Sequence, residues 1–361
     1  MATFRGCVVD VKIPSLLRIK PKALTKIGKY LVSSHWNNVV VIWGEGLQER
    51  FGNIVEVSFA TAGIRSLAAV VASTNEVAEI VHATLSLPPN LDAVVALGGG
   101  KALDFGKYVA HLLRKPLVVV PTTISNDGFC SPSASLSVEG RRRSFATDVP
   151  DMVILDTEIL ASAPLALMMS GIGDLFCKAT SVWDWKYAYR TKGVLVNDFA
   201  AVIALNAVDT FDHFNPKDLK NLEFLRILSS SLMMCGLSMA IAGSSRPASG
   251  AEHLISHAYD QLAQKTSWHG VQVGVASYLV AHLQQSTLEQ VKRCAHESGF
   301  WDFVRQHPLE RAAFLHAIRE ARFVKQNYPT ILDEPDSVER LIELCNRLPE
   351  MTEVLDSGQA Q

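Results

Sequence analysis

Cysteine pairing is the first thing missing. The six cysteines (Cys7, Cys130, Cys177, Cys235, Cys294 and Cys345) contain no CxxC pair. That pattern argues against a disulfide framework and a cysteine-ligated zinc, and fits the reduced thiols of a cytosolic enzyme. An excess of one charge is missing too. The formal net charge is −2, so neither a nucleic acid nor an anionic membrane is suggested as a partner. The one strong basic run, Arg141 to Arg143 in "GRRRSF", reads as a solvated hairpin tip. Long apolar runs are scarce. The most apolar window, "LSSSLMMCGLSMAIAGSS", is short and serine-rich, whereas a membrane span needs about 20 predominantly apolar residues; a buried helix is the expectation. "MATFRGCVVDVKIPS" has no basic segment ahead of an apolar stretch, so no signal peptide is predicted and the expected location is cytoplasmic. Internal repeats and low-complexity linkers are also lacking.

What is present is an alternation. "NNVVVIWG", "IVEVSFA", "LDAVVALGGG" and "KPLVVVPTT" read as strands, with helical patterns such as "TNEVAEIVHATLSL" and "KALDFGKYVAHLL" between them. Strands that are apolar throughout and separated by helices predict a parallel sheet covered on both faces. "SASLSVEGRRRSFATDVPDMVILD" reads as a hairpin leading to a last strand that ends at Asp156. Beyond "DTEILASAPLAL" the valine-rich strands stop and long helical patterns take over. A chain of 361 residues is expected to split in two. The predicted division is an α/β Rossmann-like nucleotide-binding domain over 1–160 and an all-α domain over 161–361, the latter binding metal and substrate.

Two loops suggest a ligand. In "VVALGGGKALDFGK" a strand runs into Gly98, Gly99 and Gly100 and a helix follows at once. Glycines permit close approach of a phosphate, and the free N–H groups of a helix start favour an anion. The pattern is not GxGxxG, and a tight turn without ligand would look the same. The next strand ends in "VPTTISNDGFCSPSAS", whose Thr122, Thr123 and Ser125 hydroxyls follow its carboxyl edge. Open α/β sheets bind ligands outside those edges, so both loops should face one crevice.

A third constellation lies in the helical half. "SRPASGAEHLISHAYD" carries His253 and His257 one turn apart, "WHGVQVG" carries His269, and "GIGDLFCK" carries Asp174, read as opening a helix behind Gly171 and Gly173. One Asp and two His suit a catalytic Zn²⁺, with Ni²⁺ or Fe²⁺ as alternatives. By spacing alone Asp174 could equally cap its helix, and the histidines could be structural.

Together, "GGGKALDFGK", "PTTISNDGFCSPSA", "GIGDLFCK", "SRPASGAEHLISHAYD" and "HGVQVG" resemble the glycerol-1-phosphate dehydrogenases. These belong to the superfamily of iron-containing alcohol dehydrogenases, glycerol dehydrogenase and 3-dehydroquinate synthase. The resemblance spans roughly residues 10 to 340 and implies a dehydroquinate synthase-like fold. It implies a metal-dependent hydride transfer between NAD or NADP and dihydroxyacetone phosphate or sn-glycerol 1-phosphate, a step of phospholipid synthesis. Residue by residue, Gly98, Gly99, Gly100, Lys101 and Ala102 match the pyrophosphate loop, with Asp104 as the GGGxxxD acid. Thr122, Thr123, Ile124, Ser125 and Ser131 match further cofactor contacts, and Asp127 a substrate ligand. Asp174, His253 and His269 match the metal ligands, Asp174 also lying near substrate, while His257 matches a substrate contact with a role in proton relay or in orienting the hydroxyl.

The chain departs from the pattern at Ser125-Asn126-Asp127, where the family often has Ser-His-Asp. It departs again at Trp43 and Gly44, where an acid can read the ribose; Glu45 is the nearest substitute, which leaves NAD against NADP open. For the substrate phosphate, Arg246 and Lys178 are candidates by position, either of which could instead pair with a carboxylate. Rival readings are a 3-dehydroquinate synthase-like cyclase, a dehydrogenase of unphosphorylated polyols or alcohols, and a non-catalytic ligand-binding homologue. The expected partner is a small phosphorylated polyol or ketone, with no membrane insertion and with homo-oligomer formation compatible.

Overall fold

The computed structural model describes residues 11–212 and 219–356; Cys7 and most of the stretch read for a signal peptide lie outside them. The main sheet is built from β1 (Leu16–Lys20), β2 (Asn38–Trp43), β3 (Arg65–Val71), β4 (Ala93–Gly98), β5 (Leu117–Pro121) and, after a hairpin of β6 (Ser133–Val138) and β7 (Arg141–Ala146), β8 (Met152–Asp156). Its six strands run parallel in the order β1-β8-β5-β4-β2-β3. The inner strands are apolar throughout because both faces are covered. Val40, Ile42, Val94, Ala96 and Val119 face one core cluster, and Val39, Val41, Val95, Leu97 and Val118 face the other.

The second predicted strand is a correction. "IVEVSFA" lies in α2 (Leu47–Ala62), following α1 (Ile27–Val32). The buried apolar residues of α2, Phe51, Val55 and Phe59, recur at helical spacing and join the cluster under the sheet. The strand is β3 instead, beginning five residues after that segment ends, at the sheet edge, where partial exposure breaks the apolar run. The other edge strand, β1, escapes the sequence for the same reason.

Helices α3 (Val77–Leu85), α4 (Gly100–Leu113) and α5 (Thr157–Ala161) complete the α/β part. There follow α6 (Leu165–Phe176), α7 (Lys178–Lys192), α8 (Asp198–Asp212), α9 (Leu222–Ala242), α10 (Ala251–Leu262) and α11 (His269–Gln284), then five shorter helices between Leu288 and Val354. The apolar window expected as a buried helix is α9, whose Phe224, Leu225, Leu228 and Leu232 are all fully buried. One apolar cluster continues from the sheet's face into these helices, including Ile172, Leu232, Ile255 and Val275.

Candidate metal centre and cofactor cleft

Asp174 does not open a helix. It stands in the last turn of α6, and Gly171 and Gly173, expected ahead of the helix, are inside it at its contacts with the Ile124 and Gly270 carbonyls. His253 lies in the first turn of α10 and His269 begins α11. One ligand atom from each of Asp174, His253 and His269 lies within 4.8 Å of the others. That is within small side-chain adjustments of the ~2.0–2.2 Å bonds a divalent cation makes to imidazole and carboxylate. His253 Nε2 is 3.6 Å from Asp174 Oδ1, and the His253 and His269 rings are 5.2 Å apart.

The outer partners of both rings fit a cation. Glu252 Oε1 lies 3.0 Å from His253 Nδ1 and also accepts from the Gly250 N–H. Ser256 Oγ lies 3.2 Å from His269 Nδ1 and donates to Gln272 Oε1, whose amide donates in turn to Asp260. With both Nδ1 atoms engaged as donors, both Nε2 lone pairs are left for the metal. Glu252 was not foreseen; the only signal was an acid directly ahead of a ligand-type histidine.

Lys178 takes the second of its two alternatives. Its Nζ is fully buried, 3.0 Å from Asp127 Oδ2 and 3.2 Å from Asp174 Oδ1, so it is committed to carboxylates and is not free for a phosphate. Burial pushes the ammonium pKa down, but Asp127 and Asp174 outweigh it and hold Lys178 charged. Burial also works against the Asp174 carboxylate, and Lys178, followed by His253, holds it well below its ordinary range. Asp127 goes the other way, raised by burial and then by the charge of Asp174. The backbone N–H of Asp127 donates to Asp174 Oδ2 at 2.9 Å, which ties the loop after β5 to the centre. His257 lines the same cleft, with its ring 5.9 Å from His269 and 6.2 Å from His253. Desolvation, then the charges of His253, Arg142 and Lys325, pushes its pKa down to about 4, so it is neutral at pH 7.

The glycine loop sits where the strand order reverses. β2 turns outward to β3, while β4 leads to β5 on the other side, so the crevice lies beyond the carboxyl ends of β2 and β4. Gly98 ends β4, Gly99 caps α4 and Gly100 begins it, with Lys101 and Ala102 in its first turn. A side-chain carbon on Gly99 would lie 3.4 Å from Thr123 Oγ1, and the Thr122 N–H donates to the Gly98 carbonyl; the two loops are neighbours. Ile124 is buried with its carbonyl against Gly171, and the Ser125 carbonyl accepts from Ser170 Oγ at 2.8 Å. Asn126, the departure from Ser-His-Asp, accepts from the Gly128 N–H and so shapes the turn that carries Asp127.

Asp104 and Ser131 gather elsewhere, around a lysine the sequence did not single out. Buried Lys107 donates to the Gly128 carbonyl, to Ser131 Oγ at 3.1 Å and to the Ser133 carbonyl at 2.8 Å, with Asp104 Oδ1 at 4.0 Å. Burial raises the Asp104 pKa to about 6 against the pull of Lys107. Both residues thus brace the β5 loop from behind. Glu45, the substitute ribose acid, stands just past β2 and pairs with Lys101 Nζ at 2.9 Å. The hairpin tip is solvated as expected, yet Arg142 Nη1 reaches within 4.0 Å of Asp260 Oδ2 on α10.

Comparison with known proteins finds relatives over most of the chain. A family model for iron-containing alcohol dehydrogenases matches residues 18–164. A glycerol-1-phosphate dehydrogenase [NAD(P)+] of Hyperthermus butylicus is 33% identical over 82% of this chain and 83% of its own length. One from Methanococcus maripaludis is 31% identical over 88% and 95% respectively. Among solved structures, glycerol dehydrogenase from Schizosaccharomyces pombe superposes with a TM-score of 0.71 at 18% identity, covering 96% of this chain and 94% of that one. A sulfoacetaldehyde reductase from Bifidobacterium kashiwanohense, solved with NAD+, gives 0.72 at 14% identity, covering 95% and 100%. At such identities the two structures speak to the fold alone.

Proposed function

The chain belongs to the glycerol-1-phosphate dehydrogenase family of the iron-containing alcohol dehydrogenases, and from that premise we propose that it transfers hydride between NAD(P)H and dihydroxyacetone phosphate, giving sn-glycerol 1-phosphate. The observation that carries this reading is the convergence of Asp174, His253 and His269 beside Asp127 and His257. In our reading residues 1–160 bind the nucleotide and residues 161–361 bind metal and substrate. We assign Zn²⁺ as the metal, with Ni²⁺ and Fe²⁺ as alternatives: a carboxylate and two imidazoles leave a position for the substrate oxygen. Glu45 is neutralised by Lys101, so its repulsion of a 2′-phosphate is offset and both NADP and NAD should be accepted.

When bound, the cation supplies Lewis acidity at the C2 oxygen and the nicotinamide supplies or takes the hydride. The protein's own residues do the rest. Glu252 and Ser256 hold the two Nδ1 protons and keep both Nε2 atoms turned inward. Lys178 keeps Asp174 ionised and Asp127 fixed beside it. His257, neutral at pH 7, takes the hydroxyl proton in the oxidising direction and returns it in the reducing one.

The test is oxidation of NADH and NADPH with dihydroxyacetone phosphate, before and after chelation. Activity should disappear with chelator and return with Zn²⁺ or Ni²⁺, and the product should be the sn-1 enantiomer. No oxidation of either coenzyme with any of the metals would end the reading. A second expectation concerns Glu252. Glu252→Gln removes the charge behind His253 and should weaken metal affinity about 10- to 100-fold, measured by competition with a chelating dye; unchanged affinity would deny it that role.

A further inference from the structure

Between Val11 and Gly44 the chain carries Lys12, Arg18, Lys20, Lys22, Lys26 and Lys29, and no aspartate or glutamate. The formal net charge of −2 conceals this run, because the remainder of the chain is acidic. The fold gathers the run on one outer face. β1 is an edge strand; its Leu17 and Ile19 pack towards one core cluster, while Leu16, Arg18 and Lys20 alternate to the other side. On that side Leu24, Ile27 and Leu31 are buried under the sheet. Lys26 and Lys29 stand one turn apart on the exposed side of the same segment, and Lys22 is exposed in the turn ahead of them. The Lys22 N–H meets Asp156 at the carboxyl end of the sheet, whereas the Tyr30 ring centroid lies 5.4 Å from the Arg18 guanidinium carbon. α1 therefore runs back along β1 and sets its own cations beside those of the strand.

The fold does not neutralise this face. Among the described residues no carboxylate forms an ion pair with Lys20, Lys22, Lys26 or Lys29; Lys12 alone is paired, with Asp151. The neighbouring α2 and α5 bring Glu49, Glu56 and Glu158 against Arg50, which leaves the face positive. Two apolar side chains stand out of the same surface: Ile13, 61% exposed, ahead of β1, and Val32, 40% exposed, at the end of α1. Since α1 runs back along β1, both fall at one end of the face. These side chains suit a lipid headgroup layer better than a nucleic acid. All but one of the cations are lysines, point charges on flexible stems, whereas base edges are read by arginine, asparagine and glutamine. Stacking a base needs an exposed ring, and Tyr30 is buried. Exposed apolar residues beside lysines can enter the headgroup boundary. The face also lies on the side of the sheet opposite the cluster that continues into α6, α10 and α11, so a surface held there leaves the metal centre accessible.

We propose that the β1–α1 face is a peripheral docking surface for an anionic lipid bilayer, held by Arg18, Lys20, Lys22, Lys26 and Lys29, with Ile13 entering the headgroup layer. The attachment is electrostatic and reversible and needs no spanning helix. It stands independently of the reductase reading.

The test is sedimentation of the full chain with vesicles of phosphatidylglycerol and phosphatidylcholine in equal parts, against vesicles of phosphatidylcholine alone. The chain should bind the first and not the second. It should leave the anionic vesicles at about 1 M salt, where the screening length falls to about 3 Å. Lys22→Gln, Lys26→Gln and Lys29→Gln combined should weaken the partition about a hundredfold, at about fivefold per lysine, with an unchanged melting temperature. Should the triple variant melt early, Lys26→Gln alone takes its place, with a loss of about fivefold. Ile13→Ser should lose about tenfold. Arg141→Gln with Arg143→Gln, in the hairpin's basic run, should bind as the wild type does. No sedimentation with anionic vesicles, or an equal loss in the hairpin variant, would overturn the proposal. Full vesicle affinity in Ile13→Ser would exclude a bilayer as the occupant. A duplex oligonucleotide held more tightly than the vesicles at the same salt would assign the face to nucleic acid instead, and a dimer that dissociates in the triple variant would assign it to a second copy of the chain.

Discussion

Asp174→Asn should lower kcat about a thousandfold while leaving the fold and coenzyme binding in place. Asparagine keeps the shape and one acceptor oxygen but gives up the only anionic ligand of the three. Lewis-acid stabilisation of a developing alkoxide amounts to several kcal/mol, and each ~1.4 kcal/mol is a factor of ten in rate. The effect on stability separates loss of metal from collapse of the site. Without metal, the buried cluster of Asp127, Asp174 and Lys178 sets two carboxylates against one ammonium, with the His253 ring 3.6 Å from Asp174 as the further partner that a bound cation would replace. Added Zn²⁺ should therefore stabilise the wild type, by about 2.7 kcal/mol at a hundredfold excess over Kd. In Asp174→Asn the remaining Lys178–Asp127 pair is already balanced, so the apo variant should fold, and Zn²⁺ should no longer raise its melting temperature. A variant that kept both its metal-induced stabilisation and its rate would show that Asp174 is not a ligand.

How much of this was open to reading depended on burial and on sequence distance. The inner strands β2, β4, β5 and β8 are apolar on both faces and announce themselves. The edges β1 and β3 are half-exposed and carry no such run, while α2 contains enough β-branched residues in "IVEVSFA" to imitate a strand. In the site, the glycine loop, Asp174 and the three histidines were visible because their residue types are specific to the chemistry. That Asp174 ends a helix was hidden, because Gly171 and Gly173 look like turn residues until the helices they touch are known. The partners of Arg246 could not have been found: the Pro329 carbonyl and the Tyr328 ring lie about eighty residues away, across an interval in which no motif links them.

Gly173, with Gly270 facing it, supports the other large expectation. A side-chain carbon on Gly270 would lie 1.8 Å from the Ser170 carbonyl oxygen, and one on Gly173 2.1 Å from the Gly270 carbonyl oxygen. Neither neighbour is a flexible side chain; both are backbone of helices packed face to face. Next in sequence to these two glycines are Asp174 and His269, so the close approach of α6 and α11 sets the distance between two of the ligands. The Gly270 N–H also donates to Ser170 Oγ, whose hydroxyl donates to the Ser125 carbonyl of the cofactor loop. Gly270→Ala should push the start of α11 away and strain this chain of contacts. Overpacking costs about 1–3 kcal/mol, partly offset by the ~1 kcal/mol that alanine gains over glycine within a helix. Function should suffer more than stability, because a displacement of about 1 Å at a reacting centre can cost about a hundredfold in rate. Metal affinity should fall with it. Gly52→Ala is the control: in α2 the added carbon meets only the Gln48 side chain, at 3.7 Å, so the propensity gain stands alone and stability should hold or rise with kcat/KM unchanged. If Gly270→Ala matched that control in metal affinity and rate, the spacing of α6 and α11 would not be what brings Asp174 and His269 to a common cation.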